Sequence, residues 1–401
     1  MVTFILSLFF TIQSSLVALA STGCSDPSLQ LISEVADIIE DHYIDKSVTR
    51  ERLLFGAIQG MLAQVEGINY EHQLVSNHLL FPSQYSQVRR ALEGELVGIG
   101  IHVNLDPVTN KSVVTGVIPN SPGHQAGIKI GDKLIAVNGE RINTTGLSNF
   151  PLKPGITIGL LLERDGELFR LHVKQQRLKL PAVTAYPANG HIGYMKIARF
   201  HQFVPPKVKQ HLKRFEEAKL RGLILDLRDN PGGRLDDAVT TAEFFLNPGL
   251  KIATMKYRTK EPQTFITSKP PLWHKPMVVL INNGTSGGAE VLASTIRFNK
   301  RGVLIGEKTF GKSSIQSIFP LSNEFALKLT TAKIETQEGI SFEGSGITPD
   351  LTIPIDQNHN QDGQDRQLSS AVEILRYKIE QEEPTIAKPD QILKAVNKEP
   401  K

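Results

Sequence analysis

The chain has 401 residues, 40% of them hydrophobic, enough for two or three domains with ordinary cores. Its 45 basic and 41 acidic residues give a formal net charge of +4, and no dense Lys/Arg block points to nucleic acid. The eleven histidines are scattered without an HExxH string or a Cys/His cluster, so neither a metal site nor any other cofactor is expected, and the single cysteine, Cys24, excludes an internal disulfide.

The chain opens on an apolar run beginning Phe4-Ile5-Leu6-Ser7-Leu8-Phe9-Phe10, followed by Ala18-Leu19-Ala20. This pattern is that of an export signal, residues 1–20, cut after Ala20, although Met1-Val2-Thr3 carries no Lys or Arg. The alternative is a lipoprotein anchored to a membrane through Cys24. Either way the expected location is the periplasm or cell envelope. No later window has the roughly 18 apolar residues of a spanning helix. Residues 27–92 read as helices: Leu29, Ile32, Val35, Ile38 and Ile39 recur at helical spacing, as do Leu53, Leu54, Ala57, Ile58 and Met61 after Thr49 as N-cap.

Residues 93–177 carry two further strings. Gly98-Ile99-Gly100-Ile101 is a short glycine-spaced loop, and residues 117–139 contain Gly127, Gly131-Asp132 and Asn138-Gly139 between apolar runs. Together they resemble a PDZ domain. The resemblance implies a sheet edge that takes a peptide as an added strand, while the amides of Gly98, Ile99, Gly100 and Ile101 hold its C-terminal carboxylate.

Residues 178–355 alternate strands with helices, as an α/β core does. Leu223-Ile224-Leu225-Asp226-Leu227-Arg228 is an apolar strand that Asp229-Asn230-Pro231-Gly232-Gly233 turns into a helix over 235–246. Met277-Val278-Val279-Leu280-Ile281 is a second strand. Asn282-Asn283-Gly284-Thr285-Ser286-Gly287-Gly288-Ala289-Glu290 turns it sharply into a helix, and amides at such a helix start favour developing negative charge. The Thr-Ser-Gly-Gly echo of chymotrypsin-like proteases lacks a His and Asp context. A third string, Gly306 to Ser313, satisfies the P-loop pattern G-x-x-x-x-G-K-S. A P-loop needs a helix beginning at its lysine. Here Ser313 to Pro320 alternates and ends in proline, which predicts a strand. Residues 356–366 read as a polar linker and Gln367 to Gln381 as a helix within a polar end, 356–401.

In their order these strings resemble the C-terminal processing peptidases, S41-type serine proteases with a Ser-Lys dyad. The resemblance runs over roughly residues 30–355. It implies a multidomain α/β chain with N-terminal helices, a PDZ domain and a ClpP/crotonase-like protease core. It also implies protein or peptide substrates with free C-termini, and a homo-oligomer is compatible with it. Lys312 takes the place of the general base and Gln316 that of its orienting partner, with Phe310, Ile315 and Phe319 expected to form an apolar wall that depresses the lysine pKa. Gly232, Gly233 and Gly288 would supply oxyanion amides. The nucleophile position falls on Gly287, and the nearest hydroxyl is Ser286, one residue early. Two outcomes are therefore open: a working endopeptidase with Ser286 shifted into place, or a pseudoprotease that binds tails without cutting them.

Overall fold

A computed structural model describes residues 26–66, 77–105, 111–141, 153–179, 183–354 and 365–382. The expected export segment, Cys24 and the end beyond residue 382 lie outside the described residues. The described residues fall into two compact units, one within 26–66 and the other from Asn77 onward. The first is a helical pair, Pro27–His42 and Arg50–Glu66. The Asp26 carboxylate caps it, accepting from the Ser28 amide at 2.9 Å. The Arg50 guanidinium clamps the pair by donating to Ser33 Oγ at 2.7 Å and to the Asp37 and Glu40 carboxylates.

The second unit is built on a six-stranded sheet of segments 183–189, 192–197, 222–226, 277–281, 303–306 and 351–352. The first pair is antiparallel and the remaining neighbours run parallel. The central strands are apolar without interruption over 223–225, 277–281 and 303–305 because both faces are covered. Leu223, Leu225, Met277, Val279 and Ile281 point to one face, packed with helices Val204–Glu217, Leu235–Glu243 and Gly288–Phe298. Ile224, Val278, Leu280 and Ile305 point to the other, where Ala371, Leu375 and Ile379 of helix Arg366–Glu382 cover them.

That last helix lies where a helix was expected, over Gln367 to Gln381, and it belongs to the core. Its apolar residues recur every four positions on one stripe, and that stripe closes the third layer. Arg228 fastens it, donating to Gln367 Oε1 at 3.0 Å and pairing with Asp365 at 2.8 Å. A correction concerns 27–92. Residues His78–Leu80 are a strand, paired antiparallel with 326–328, and only Pro82–Leu92 resumes a helix.

The parallel strands 222–226, 277–281 and 303–306 end on the same sheet edge, so the turns after Asp226, Ile281 and Gly306 converge there. This is the carboxyl edge at which open α/β sheets place their sites. A smaller sheet, with 314–320 beside 326–335 and 251–257, flanks it. The segment 95–98 pairs antiparallel with 176–179 where the chain enters and leaves a separate sheet of strands 101–105, 112–117, 133–137, 157–164 and 167–174. That sheet has its own core of Val114, Leu134, Leu160, Leu162 and Val173. Asp132, in the Gly131-Asp132 string, takes a two-pronged bond from Arg164 at 2.6 and 2.7 Å. Strand 101–105 bonds to 112–117 on one side and is otherwise an edge among the described strands.

Candidate active site

Three turns meet at the carboxyl edge, and side-chain amides and carboxylates tie them together. Asn282 Oδ1 accepts the Asp229 amide at 2.9 Å, and Asn282 Nδ2 donates to Asp229 Oδ1 at 2.8 Å. The Ser286 amide donates to the Asn230 carbonyl at 2.8 Å, and Thr285 Oγ1 to the Leu227 carbonyl at 2.9 Å. The 282–290 turn is thereby seated on the 227–233 turn.

At its apex Gly287 adopts φ 56° and ψ −119°, a conformation costly for any residue with a side chain. It is the sharp strand-to-helix elbow on which hydrolases mount a nucleophile. The space for a side chain is present: a Cβ built on Gly287 would meet nothing nearer than Gly232 Cα at 3.8 Å. Gly232 differs. A Cβ there would stand 2.8 Å from the Ser286 carbonyl oxygen and 3.0 Å from the Gly288 nitrogen, so only glycine lets the two turns close. Ser286, one residue before the apex, is buried at 9% exposure, and its hydroxyl makes no hydrogen bond with a described residue.

Of the three amides expected to hold an oxyanion, that of Gly232 donates to Asn230 Oδ1 at 2.9 Å. The Gly233 and Gly288 amides have no partner among the described residues. The asparagine side chain closing on the second residue after it is an Asx turn.

The lysine segment reaches the elbow through a residue that sequence reasoning used only as a landmark. Glu290 is fully buried at the start of helix 288–298. Its Oε2 accepts the Gly287 amide at 2.9 Å and the Lys312 amide at 2.8 Å. Its Oε1 accepts the Gly311 amide at 2.7 Å and the Thr309 hydroxyl. Burial pushes the Glu290 carboxyl upward in pKa, against the pull of those donors. One oxygen shared by two amides holds the backbones of Gly287 and Lys312 side by side. The spacing Gly287-x-x-Glu290, a capping box with glycine at the cap, is the sequence signal for it.

Residues 314–320 form a strand, and no helix begins at Lys312. The Ser313 and Ser314 amides both donate to Glu343 Oε2 at 2.7 Å. Four consecutive amides, from Gly311 to Ser314, are thus committed to two carboxylates where a P-loop would present them to phosphate.

Gln316 makes no hydrogen bond with Lys312. Its Nε2 donates to Ser314 Oγ at 3.2 Å and to the Ser314 carbonyl at 3.3 Å. The expected apolar wall is also absent as such, since Phe310 and Phe319 are 45% and 44% exposed and Ile315 packs into the main core. A second cation stands there instead. Lys328, on the neighbouring strand, has its pKa lowered first by burial and then by the charge of Lys312.

In the separate sheet domain, the Gly98–Ile101 loop leads into the open edge of strand 101–105. The Ile99 and Gly100 carbonyls accept the Gly123 and Ile118 amides at 2.7 and 2.8 Å, which fastens the loop by its oxygens.

Peptidase family S41 matches residues 191–353, and a PDZ domain matches residues 113–149. A carboxy-terminal-processing protease of Bartonella bacilliformis is 31% identical over 314 residues, spanning 76% of this chain and 70% of the relative. The chain belongs to the carboxyl-terminal-processing proteases of peptidase family S41. A second member, from Synechocystis sp., is 29% identical over 79% of this chain and 74% of its own. The fold is that of the photosystem II D1 C-terminal processing protease, with a TM-score of 0.56, 24% identity and coverage of 81% of this chain and 92% of that one. Members of this family are serine peptidases, and a PDZ domain beside the core implies peptide or protein substrates.

Proposed function

We propose that this chain captures the C-terminal tails of exported proteins and holds them at a protease core whose serine route is interrupted at the nucleophile. The observation that carries this reading is Gly287, which occupies the elbow apex in the strained conformation of a nucleophile, with room for a side chain and none present. Around it the remaining parts stand ready. Gly233 and Gly288 offer amides for an oxyanion, and the backbone of Lys312, whose side chain would act as the base, is held beside the apex. Gln316 takes the orienting role only by leaving Ser314. The edge strand 101–105 and the Gly98–Ile101 loop receive the tail. Export by the 1–20 segment, with Cys24 as the alternative lipid anchor, brings the chain to the cell envelope.

A second reading is favoured by one observation, the unpartnered hydroxyl of Ser286. In it Ser286 Oγ attacks the scissile carbonyl carbon and Lys312 Nζ takes its proton. The amine leaves with that proton, and water then releases the acyl group. Placement matters to about 1 Å in such chemistry, and Ser286 is buried one residue before the apex.

Full-length protein with an unfolded substrate protein separates the two. The first reading expects no cleavage. It also expects micromolar binding, about −8 kcal/mol, of a peptide with an apolar free C-terminus and weaker binding of its amide. Cleavage abolished by both Ser286→Ala and Lys312→Ala would establish the second reading and end the first.

A further inference from the structure

A cavity of about 1270 Å³ lies away from the elbow, between the 95–98/176–179 strand pair and helix 204–217. Val183, Phe203, Pro206 and Leu272 give it apolar walls. Lys179 on the strand pair and Lys207, Lys209 and Lys213 on the helix give it a cationic rim. The helix buries Val204, Val208, Leu212 and Phe215 on its inner side, which leaves the lysines on its outer side. Lys179, Lys207 and Lys209 have no acidic partner among the described residues, and Lys213 has only a long contact of 3.8 Å to Glu217. Of the two carboxylates in the lining, Glu216 is already paired with Lys275 at 2.7 Å, which leaves Glu95.

His201 adds a specific polar group. It is 1% exposed and lines the cavity. Its Nδ1 accepts the Phe203 amide at 3.4 Å, so in the neutral ring Nε2 carries the proton, and Nε2 is buried without a partner. Burial, and then the charge of Arg199, hold its pKa down and keep it neutral.

We propose that this cavity is a docking site for an acidic segment of polypeptide carrying apolar side chains, upstream of the tail that the PDZ domain reads. The apolar side chains fill the walls, carboxylates meet the lysine rim, and His201 Nε2 donates to a backbone or carboxylate oxygen. The chemistry of the rim selects a peptide over a single phosphate head. Lys209 and Lys213, one helical turn apart, suit charges strung along a chain. A compact anion prefers converging amides at a helix start, and here Pro205 and Pro206 offer no N–H. The position fits the same polypeptide. One wall, Glu95, leads in three residues to the Gly98 loop. The other, His201, follows Phe200, whose amide donates to the Gly232 carbonyl at 2.8 Å and whose carbonyl accepts the Arg234 amide at 3.2 Å. The proposal deepens the tail-capturing reading, and its test avoids the free carboxylate on which that reading rests.

The probe is a fluorescent peptide of alternating Asp/Glu and Leu/Phe with an amidated C-terminus, titrated by anisotropy against full-length protein. Saturable binding is expected. The variant Lys207→Gln/Lys209→Gln/Lys213→Gln should weaken it tenfold or more, and His201→Phe should weaken it severalfold. Binding should also fall steeply with salt. A thermal melt checks that each variant is folded, and if His201→Phe is not, the exposed lysines alone decide. Equal affinity for a Lys-substituted peptide, or an unchanged affinity in the triple variant, overturns the proposal. So does displacement of the peptide by anionic phospholipid vesicles that bind the same rim more tightly. A neutral peptide with a free C-terminus reports on the PDZ domain separately. If it fails to bind while the amidated acidic peptide binds, the tail reading falls and this cavity stands as an independent peptide site.

Discussion

Placing a serine at the elbow apex is the most direct test of the interrupted route. The structure predicts both what Gly287→Ser gains and what it costs. The built Cβ has only Gly232 Cα and the Pro231 carbonyl oxygen near it, at 3.8 and 4.0 Å, so no neighbour must move. The cost is conformational: φ 56° and ψ −119° belong to the sparsely populated region that costs a residue with a side chain about 1–3 kcal/mol. For a domain of this size each kcal/mol lowers Tm by roughly 2–4 °C. Gly287→Ala carries the same strain without the hydroxyl and is the control. The gain is hydrolysis of an unfolded substrate followed by mass spectrometry. Gly287→Ser should cleave, Gly287→Ala should not, and adding Lys312→Ala should remove about 10²–10⁴ of the rate, the usual contribution of a general base. The reasoning is refuted if Gly287→Ser is folded, binds tails and still does not cleave. It is equally refuted if Lys312→Ala leaves its activity intact, or if the wild-type chain already cleaves as fast.

Glu290→Gln should destabilise the core by about 3 kcal/mol in urea unfolding, because the new amide turns one acceptor oxygen into a donor facing two donors in a buried site. In the Gly287→Ser background it should also lower the cleavage rate more than it lowers Tm would explain. Lys328→Met should raise Tm at neutral pH. A lysine whose folded pKa is lowered binds fewer protons folded than unfolded, so its charge penalises the fold most below the folded pKa. The variant's advantage should therefore shrink as pH rises from that value to the ordinary lysine value, and an advantage constant with pH would show that the charge is not the cause. ATP with Mg²⁺ should not bind in equilibrium dialysis, with or without Lys312→Ala, since carboxylates already occupy the Gly311 to Ser314 amides.

Much of the fold was legible because it is local. Five-residue apolar runs read as buried strands, and the glycine-rich turns after them read as the edge where a site forms. The alternation Ser313 to Pro320 distinguished a strand from a P-loop helix. What was not legible depends on pairing across the chain. His78–Leu80 is a strand only because residues 326–328, far along the sequence, offer it an edge. Helix 366–382 belongs to the core through Ala371, Leu375 and Ile379, a stripe too sparse to stand out in a polar segment. The apolar wall around Lys312 failed for a similar reason. Residues near a lysine in sequence alternate across a strand, and the group that approaches it, Lys328, comes from the next strand. Gly232 was in principle readable, since Asn-Pro-Gly favours an asparagine closing back on the second residue after it.

The register of elbow and lysine strand does not depend on a bond between nucleophile and base. Glu290 sets it, by accepting the Gly287 and Lys312 amides on one oxygen. A serine hydroxyl at residue 287 is therefore not part of what holds the turns together, and its absence leaves the amide positions where they are. Glycine at the apex also relieves strain of about 1–3 kcal/mol that any other residue would store there. The edge strand 101–105 and the basic cavity beside helix 204–217 involve neither residue. In the proposed reading recognition and chemistry are separable: a chain with glycine at the apex forgoes the nucleophile, avoids that strain, and keeps the surfaces proposed to bind a tail. Gly287→Ser alone is therefore expected to restore cleavage.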